Sequence, residues 1–524
     1  MGYAQSVASG SDLTQIVVTS LVVLFLIIIV MLVANSFMKV EAQSMGVSKT
    51  GQGFGILPSM DQLFAKDLPR GVDKNDVHFL RQGFDLNLQG DAEKRVIPRV
   101  GKTYAVKPTN FIGMSPIPKV EPEVGSTVLA GDVLFFDKKN PDVKYVAPVS
   151  GEVIEINRGE KRSIASIVIL ADKEISHKKH NAPALTGGRQ AIVDFMLEAG
   201  VWPMLRQRPY NVVAKPTDVP KSIFVSTFDS APLAPDLSFV VQGRDAAFQI
   251  GLDVLNALTP GDVNLGLDGS ADSAKAFSQA KGVKKHYFRG QHPAGNVGIH
   301  IHHVDPVSAD QVVWTAGVQD VITIGQLFLD GTYDATRYVA VTGAELKNPA
   351  YAKTYIGAKV SDLLEDQVTS DAGKIRIISG DVLSGQKVGA DDYLNFYDDQ
   401  LTELEEGDYY ELFGWLLPIA PRPSTSGTFP NILYGDYKFK ADTNSHGEKR
   451  AFVLTGHYEK VLPMDVLPQE LMKAIMANDF ERMEGLGIYE LVEEDVAICE
   501  FTCVSKQPLQ SILREGLDVM REQG

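Results

Sequence analysis

From residue 13 to residue 38 the chain carries no charged side chain, and residues 16–34 are dominated by Val, Leu and Ile. Nineteen residues at 1.5 Å each make a helix of about 28 Å, close to the ~30 Å hydrocarbon core of a bilayer. No polar face breaks the stretch, so a helix formed here has no aqueous side and is read as a membrane anchor. A secretory signal would have a basic leader and a shorter apolar core; here only Asp12 precedes the segment as a charge. Lys39, Lys49, Lys66 and Arg70 follow it, and the positive-inside bias predicts a single pass through the cytoplasmic (inner) membrane, with the large body on the cytoplasmic side. Residues 1–40 are thus the N-terminal segment with its transmembrane helix. Residues 41–78, rich in Gly, Ser and Gln with Pro58 and Pro69, read as a linker.

The remaining chain exceeds what one ordinary core can organise, since the whole is 524 residues long. A formal charge of -16 argues against nucleic acid as a partner, because phosphate binding needs a basic surface. Cys499 and Cys503 are the only cysteines. Two thiols exclude a disulfide framework and fall short of the four thiolates that an iron–sulfur cluster takes. At i and i+4 they would share a helix face, and Ile498, Phe501 and Val504 around them favour buried, inert thiols.

Residues 79–175 carry short apolar strands between spaced glycines: Val128, Gly131, Leu134, then Val149, Gly151 and Val153. This is the pattern of a barrel-sandwich module, and the spacing resembles biotinyl/lipoyl carrier domains. Lys138 and Lys139 fall near the carrier's lysine, but the hairpin is several residues too short, so a structural barrel is expected. Arg158, Lys161 and Arg162 form a second cationic turn, read as a solvated hairpin loop; a grip on phosphate or an acidic neighbour is the other reading.

Residues 176–335 read as a Rossmann-like α/β domain. Helices are expected over 187–200 and 243–258, and buried strands at Ile223–Thr227 and Val321–Gly325. No Gly-x-Gly-x-x-Gly follows a strand and no Walker A sequence occurs, so no nucleotide site is expected. The unusual stretch is Gly290 to His303. On a strand His300 and His302 would share one face, with Ile299 and Ile301 opposite. No cysteine stands nearby to complete a zinc site, and no metal site is expected. A polar pocket, a contact with a partner protein or satisfied structural histidines are the readings left open.

Together, the runs His292-Pro293-Ala294-Gly295, Gly298-Ile299-His300-Ile301-His302 and Asp305-Pro306-Val307 resemble the A subunits of sodium-translocating NADH:quinone reductases. The Arg376–Gly385 and Gly456–Asp465 runs and the cationic turn at residues 157–162 resemble them too. The likeness runs from about Phe79 to the C-terminus. Residues 336–440 resemble the soluble-ligand-binding (SLBB) β-grasp domain, with a strand from Arg337 that turns at Val341-Thr342-Gly343, the run Tyr355-Ile356-Gly357 and a helix from Val360. Residues 441–524 read as a helical region, with Leu467, Leu471, Ile475, Phe480 and Met483 as an apolar stripe.

The expected fold is therefore multidomain, α/β and β, behind a transmembrane helix. The resemblance implies one member of a translocase that oxidises NADH, reduces quinone to quinol and exports Na+. NADH, quinone, FAD, FMN, riboflavin and iron–sulfur centres would be used by the whole complex, with none bound to this chain itself and no catalytic residue of its own. It implies subunits B to F as partners and quinone nearby. No family motif marks a quinone pocket in this chain; His300 and His302 are read as quinone-proximal from chemistry alone, since quinone carbonyls need hydrogen-bond donors beside apolar walls. An Rnf-like NADH-oxidising flavoprotein and a membrane-anchored lipoyl or biotinyl carrier are the alternatives. The first needs a nucleotide loop and clustered cysteines; the second needs a modified Lys138 or Lys139.

Overall fold

The computed structural model describes residues 5–44, 68–369, 374–414, 421–425, 437–453 and 456–523. They fall into two units, divided between His78 and Phe79.

The first unit holds one long helix, Gln5–Ser44. Its span Ile16–Asn35 is long and apolar enough to cross a membrane, and residues 16–33 are exposed. Of the linker expected at 41–78, residues 45–67 with Lys49, Pro58 and Lys66 lie outside the described residues.

In the second unit, two small sheets build the barrel-sandwich. One runs Thr103–Val106, Ile164–Ala171, Gly151–Arg158, Thr127–Val128; the other runs Lys119–Val120, Val133–Asp137, Asn140–Val146. Leu134, Phe135, Val149, Val153, Ile167 and Ile169 are fully buried, and burial of consecutive residues at 134–135 and 167–169 shows that both faces of these strands are covered there. Gly151 takes a positive φ where a Cβ would strike the Leu170 carbonyl on the paired strand, so only glycine fits this crossing.

The α/β layer has parallel strands Lys284–Arg289, Asp262–Asp268, Ser222–Ser226 and Val313–Thr315 in that order, continued by antiparallel Arg206–Arg208 and Val212–Val213. The helices at 187–200 and 243–258 occur as Arg189–Ala199 and Asp245–Leu258, and the strand at 223–227 as Ser222–Ser226. The strand expected at Val321–Gly325 is instead the middle of a helix, Val318–Asp330. Its run of β-branched residues looks like a strand because every side of the helix is covered: Val321, Ile322 and Ile324 are all buried. Gly325 meets the Ala247 carbonyl and Gly251 meets that of Val321, so the two helices approach closer than side chains would permit.

The β-grasp sheet orders Gln386–Val388, Ile375–Ser379, Gln400–Glu405, Thr336–Gly343, Ala350–Tyr355 and Glu93–Pro98. Its edge strand thus comes from the chain ahead of the barrel strands, paired parallel to Ala350–Tyr355. Helices Pro468–Met476, Phe480–Gly485, Glu493–Thr502 and Leu509–Gln523 form a second core with Leu86, Leu88 and Phe439. Leu471, Ile475 and Met483 are buried as the stripe requires, whereas Leu467 and Phe480 are exposed.

Candidate functional site

The segment singled out by its histidines is not a strand. Val297–Val304 is an α-helix with Asn296 at its N-cap position. Alternation of Ile and His misled because His300 is buried with Ile299 and Ile301 while His302 and His303 are half-buried; at 100° per residue, His300 and His302 diverge by about 200° and share no face. His300 is buried, its ring stacked 3.9 Å from Phe288 and 5.6 Å from Phe228, with Nε2 donating to the Ala294 carbonyl at 2.9 Å. Gly266, on the strand beneath, lets the ring in, since a Cβ there would collide with the imidazole.

His302 points instead to the C-terminal region. Its Nε2 accepts the Asp465 amide at 3.0 Å, which places the proton on Nδ1, 2.7 Å from a Glu490 carboxylate oxygen. Next to it, His303 donates from Nε2 to the Pro463 carbonyl at 2.8 Å. Burial, and then the neighbouring His302, push the His303 pKa down to about 4, so it is neutral at pH 7.

The turn before this helix gathers more polar groups. The Ser230 hydroxyl accepts the Gly295 amide at 2.8 Å and lies in hydrogen-bond contact with His292 Nδ1 at 3.1 Å. The backbone amide of His292 donates to Asp85 at 2.8 Å. Burial holds the His292 pKa below the ordinary value, against the opposing pull of Asp381, Asp85 and Glu494. On the far side, Arg208 bridges Glu494 at 2.8 Å and Asp495 at 3.2 Å. Asp495 is fully buried, and burial outweighs Arg208 to raise its pKa to about 6. It also caps the Val492 amide at 3.0 Å, and Gly298 gives it room, because a Cβ there would overlap the carboxylate. Asn296 Nδ2 adds a bond to the Glu494 carbonyl.

The arrangement is a polar junction that fastens the α/β layer to the C-terminal helices. Ser230, Asp85, Arg208, Glu490 and Asp495 escaped sequence reasoning. The acidic run Glu493-Glu494-Asp495 ahead of an apolar stretch is a helix-start signal that could have pointed to part of it. Among the described residues no group of three or more His, Cys, Asp or Glu has metal-binding geometry.

The other candidates lie apart. Lys138 and Lys139 sit on the tight hairpin between Val133–Asp137 and Asn140–Val146, where Asp137 accepts the Lys139 amide. Arg158, Lys161 and Arg162 lie exposed on the turn before Ile164–Ala171. Cys499 and Cys503 are both buried, the second 2.9 Å from the Tyr458 hydroxyl, and burial pushes the Cys499 thiol far up.

Family models describing the NqrA N-terminal barrel-sandwich hybrid domain, the NqrA second alpha/beta domain and the NQRA C-terminal domain match residues 79–172, 188–333 and 338–390. The A subunit of the Na(+)-translocating NADH-quinone reductase of Alcanivorax borkumensis is 38% identical over 452 residues, covering 85% of this chain and 99% of that protein. The proteins of the same name from Vibrio campbellii and Saccharophagus degradans are 39% identical with the same coverage. A solved NAD+-reducing [NiFe]-hydrogenase in its air-oxidised state aligns with 66% of this chain and 72% of its own at 11% identity, with a TM-score of 0.33 too low to inform fold or function. From its barrel-sandwich to its last helices, this chain belongs to the family of A subunits of the sodium-translocating NADH:quinone reductases.

Proposed function

We propose that the chain takes the family's place in a sodium-translocating NADH:quinone reductase, an assembly that oxidises NADH, reduces quinone to quinol and exports Na+. The observation that carries this reading is identity of 38% and 39% to two relatives, across 99% of the length of each. In it the chain works by assembly with subunits B to F and by proximity to quinone; the flavins (FAD, FMN, riboflavin) and iron–sulfur centres belong to the rest of the complex. The domain limits adopted are 79–175, 176–335, 336–440 and 441–524. Residues 13–38 anchor the chain in the inner membrane with the body on the cytoplasmic side, a reading supported by the uncharged helix and the cations after it.

His300 and His302 are assigned a quinone-proximal role through positioning, since the bonds described for both rings run to the protein itself. His302→Ala is then expected to raise the KM for quinone several-fold with little change in NADH oxidation by the assembled complex when an artificial electron acceptor replaces quinone.

Purification through a tag on this chain tests the whole reading. Recovery with flavoprotein and membrane partners, while the separated chain is colourless, is the expected result. Recovery alone as a yellow NADH oxidase would overturn it.

A further inference from the structure

A cavity of about 110 Å3 opens where the barrel, the edge of the α/β sheet and the last helix meet. Ile112 to Met114, the 133–146 hairpin, Val212 to Pro216 and Arg521 surround it. At 10–15 Å3 for each water, it has room for roughly eight, or for an organic molecule of about nine heavy atoms.

Its walls are apolar on one side, with Met114, Val143 and Val212. The polar groups are mostly donors, of which Arg521 is already paired with a carboxylate outside the cavity. Tyr145 is only 5% exposed, and among the described residues no hydrogen bond engages its hydroxyl. Lys215 forms no ion pair among the described residues. Arg521 reaches over Gly113, where a Cβ would displace the guanidinium, and its ion pair with Asp518 is long at 3.5 Å. One carboxylate, that of Asp137, shares the cavity, but its two oxygens already accept the Ser115 and Lys139 amides at 3.0 Å each.

We propose that this cavity binds a small organic monoanion, a carboxylate on a compact apolar body, held at its charged end by Lys215, Arg521 and the Tyr145 hydroxyl. Within the lining, Lys215, Arg521 and Asp137 leave a single net positive charge; Asp518, the partner of Arg521, lies outside it. A monoanion neutralises it, whereas a dianion overshoots and gains nothing from the apolar wall. Charge-assisted bonds in a partly enclosed space are strong enough to select the charged form over a neutral isostere. The bound molecule would also tie the last helix, Leu509–Gln523, to the barrel hairpin.

Calorimetric titration of the detergent-solubilised full chain tests this with three probes: benzoate, its uncharged isostere benzamide, and inorganic phosphate. Saturable one-to-one binding of benzoate is expected, with benzamide and phosphate at least about tenfold weaker. Lys215→Gln should weaken benzoate about tenfold, and Tyr145→Phe a few-fold. Lys215 is exposed, so its variant folds normally and decides the matter even if Arg521→Gln loosens the helix. Benzamide binding as tightly as benzoate, phosphate binding more tightly, benzoate affinity unchanged in Lys215→Gln, or no saturable benzoate binding at millimolar concentration would each overturn the assignment.

Discussion

The barrel-sandwich and the histidine helix are both well packed, yet different forces specify them. In the barrel, neighbours in sequence are neighbours in space: hairpins join 133–137 to 140–146 and 151–158 to 164–171, and their own apolar residues, Leu134, Val153 and Ile169 among them, supply the core. The helix Val297–Val304 meets Glu490 and Asp495, residues about 190 to 200 positions away, and Asp495 is held in turn by Arg208. One region is set by local pattern, the other by distant polar and charged groups that must arrive together.

The largest expected effect comes from breaking the second kind of order. Arg208→Met removes the cation between Glu494 and the fully buried Asp495. An uncompensated buried charge costs about 3–5 kcal/mol. Denaturant unfolding should show the loss, and hydrogen exchange should rise together in 297–304 and 493–502. Protection in the barrel strands should not change; a uniform rise would mean the regions are not separable.

A core deletion in the barrel gives the matching control. Leu134→Ala, at a fully buried site, should cost about 2–5 kcal/mol, with faster exchange confined to residues 103–171. Spread to the histidine helix would erase the contrast.

Acid should loosen the junction by a smaller amount. His303 has a folded pKa depressed to about 4, against about 6.5 when unfolded. The stability it contributes is complete above 6.5 and is lost as pH falls towards 4, because only the unfolded chain takes up the proton in that window. At pH 5 the loss is about 2 kcal/mol, and it should vanish in His303→Gln when unfolding is compared at pH 7.5 and pH 5.

The smallest effect belongs to the barrel's hairpin tip. Lys139→Ala should leave stability within about 0.5 kcal/mol, because its side chain is exposed and only its amide is used.

The same division explains what could be read in the sequence. Val128 and Val153 announced the barrel because a period of two survives wherever one face is wet. Val321 to Gly325 misled because a helix covered on all sides has no period to read, and its glycine reports on Ala247, far away in the chain. His300 and His302 were conspicuous as residue types, but their roles depend on Phe288, Ala294 and Glu490, and only folding names those partners. The strand Glu93–Pro98 was equally hidden, since it completes a sheet whose other strands begin more than two hundred residues later.

The two thiols have a practical consequence. Cys499 and Cys503 are the only sulfhydryls in the chain, and both are sealed inside the C-terminal core. An alkylating reagent meets them only when that core opens, so the labelling rate under native conditions reports the free energy of opening. The protein thus carries its own reporter for the helical end, without an engineered dye site.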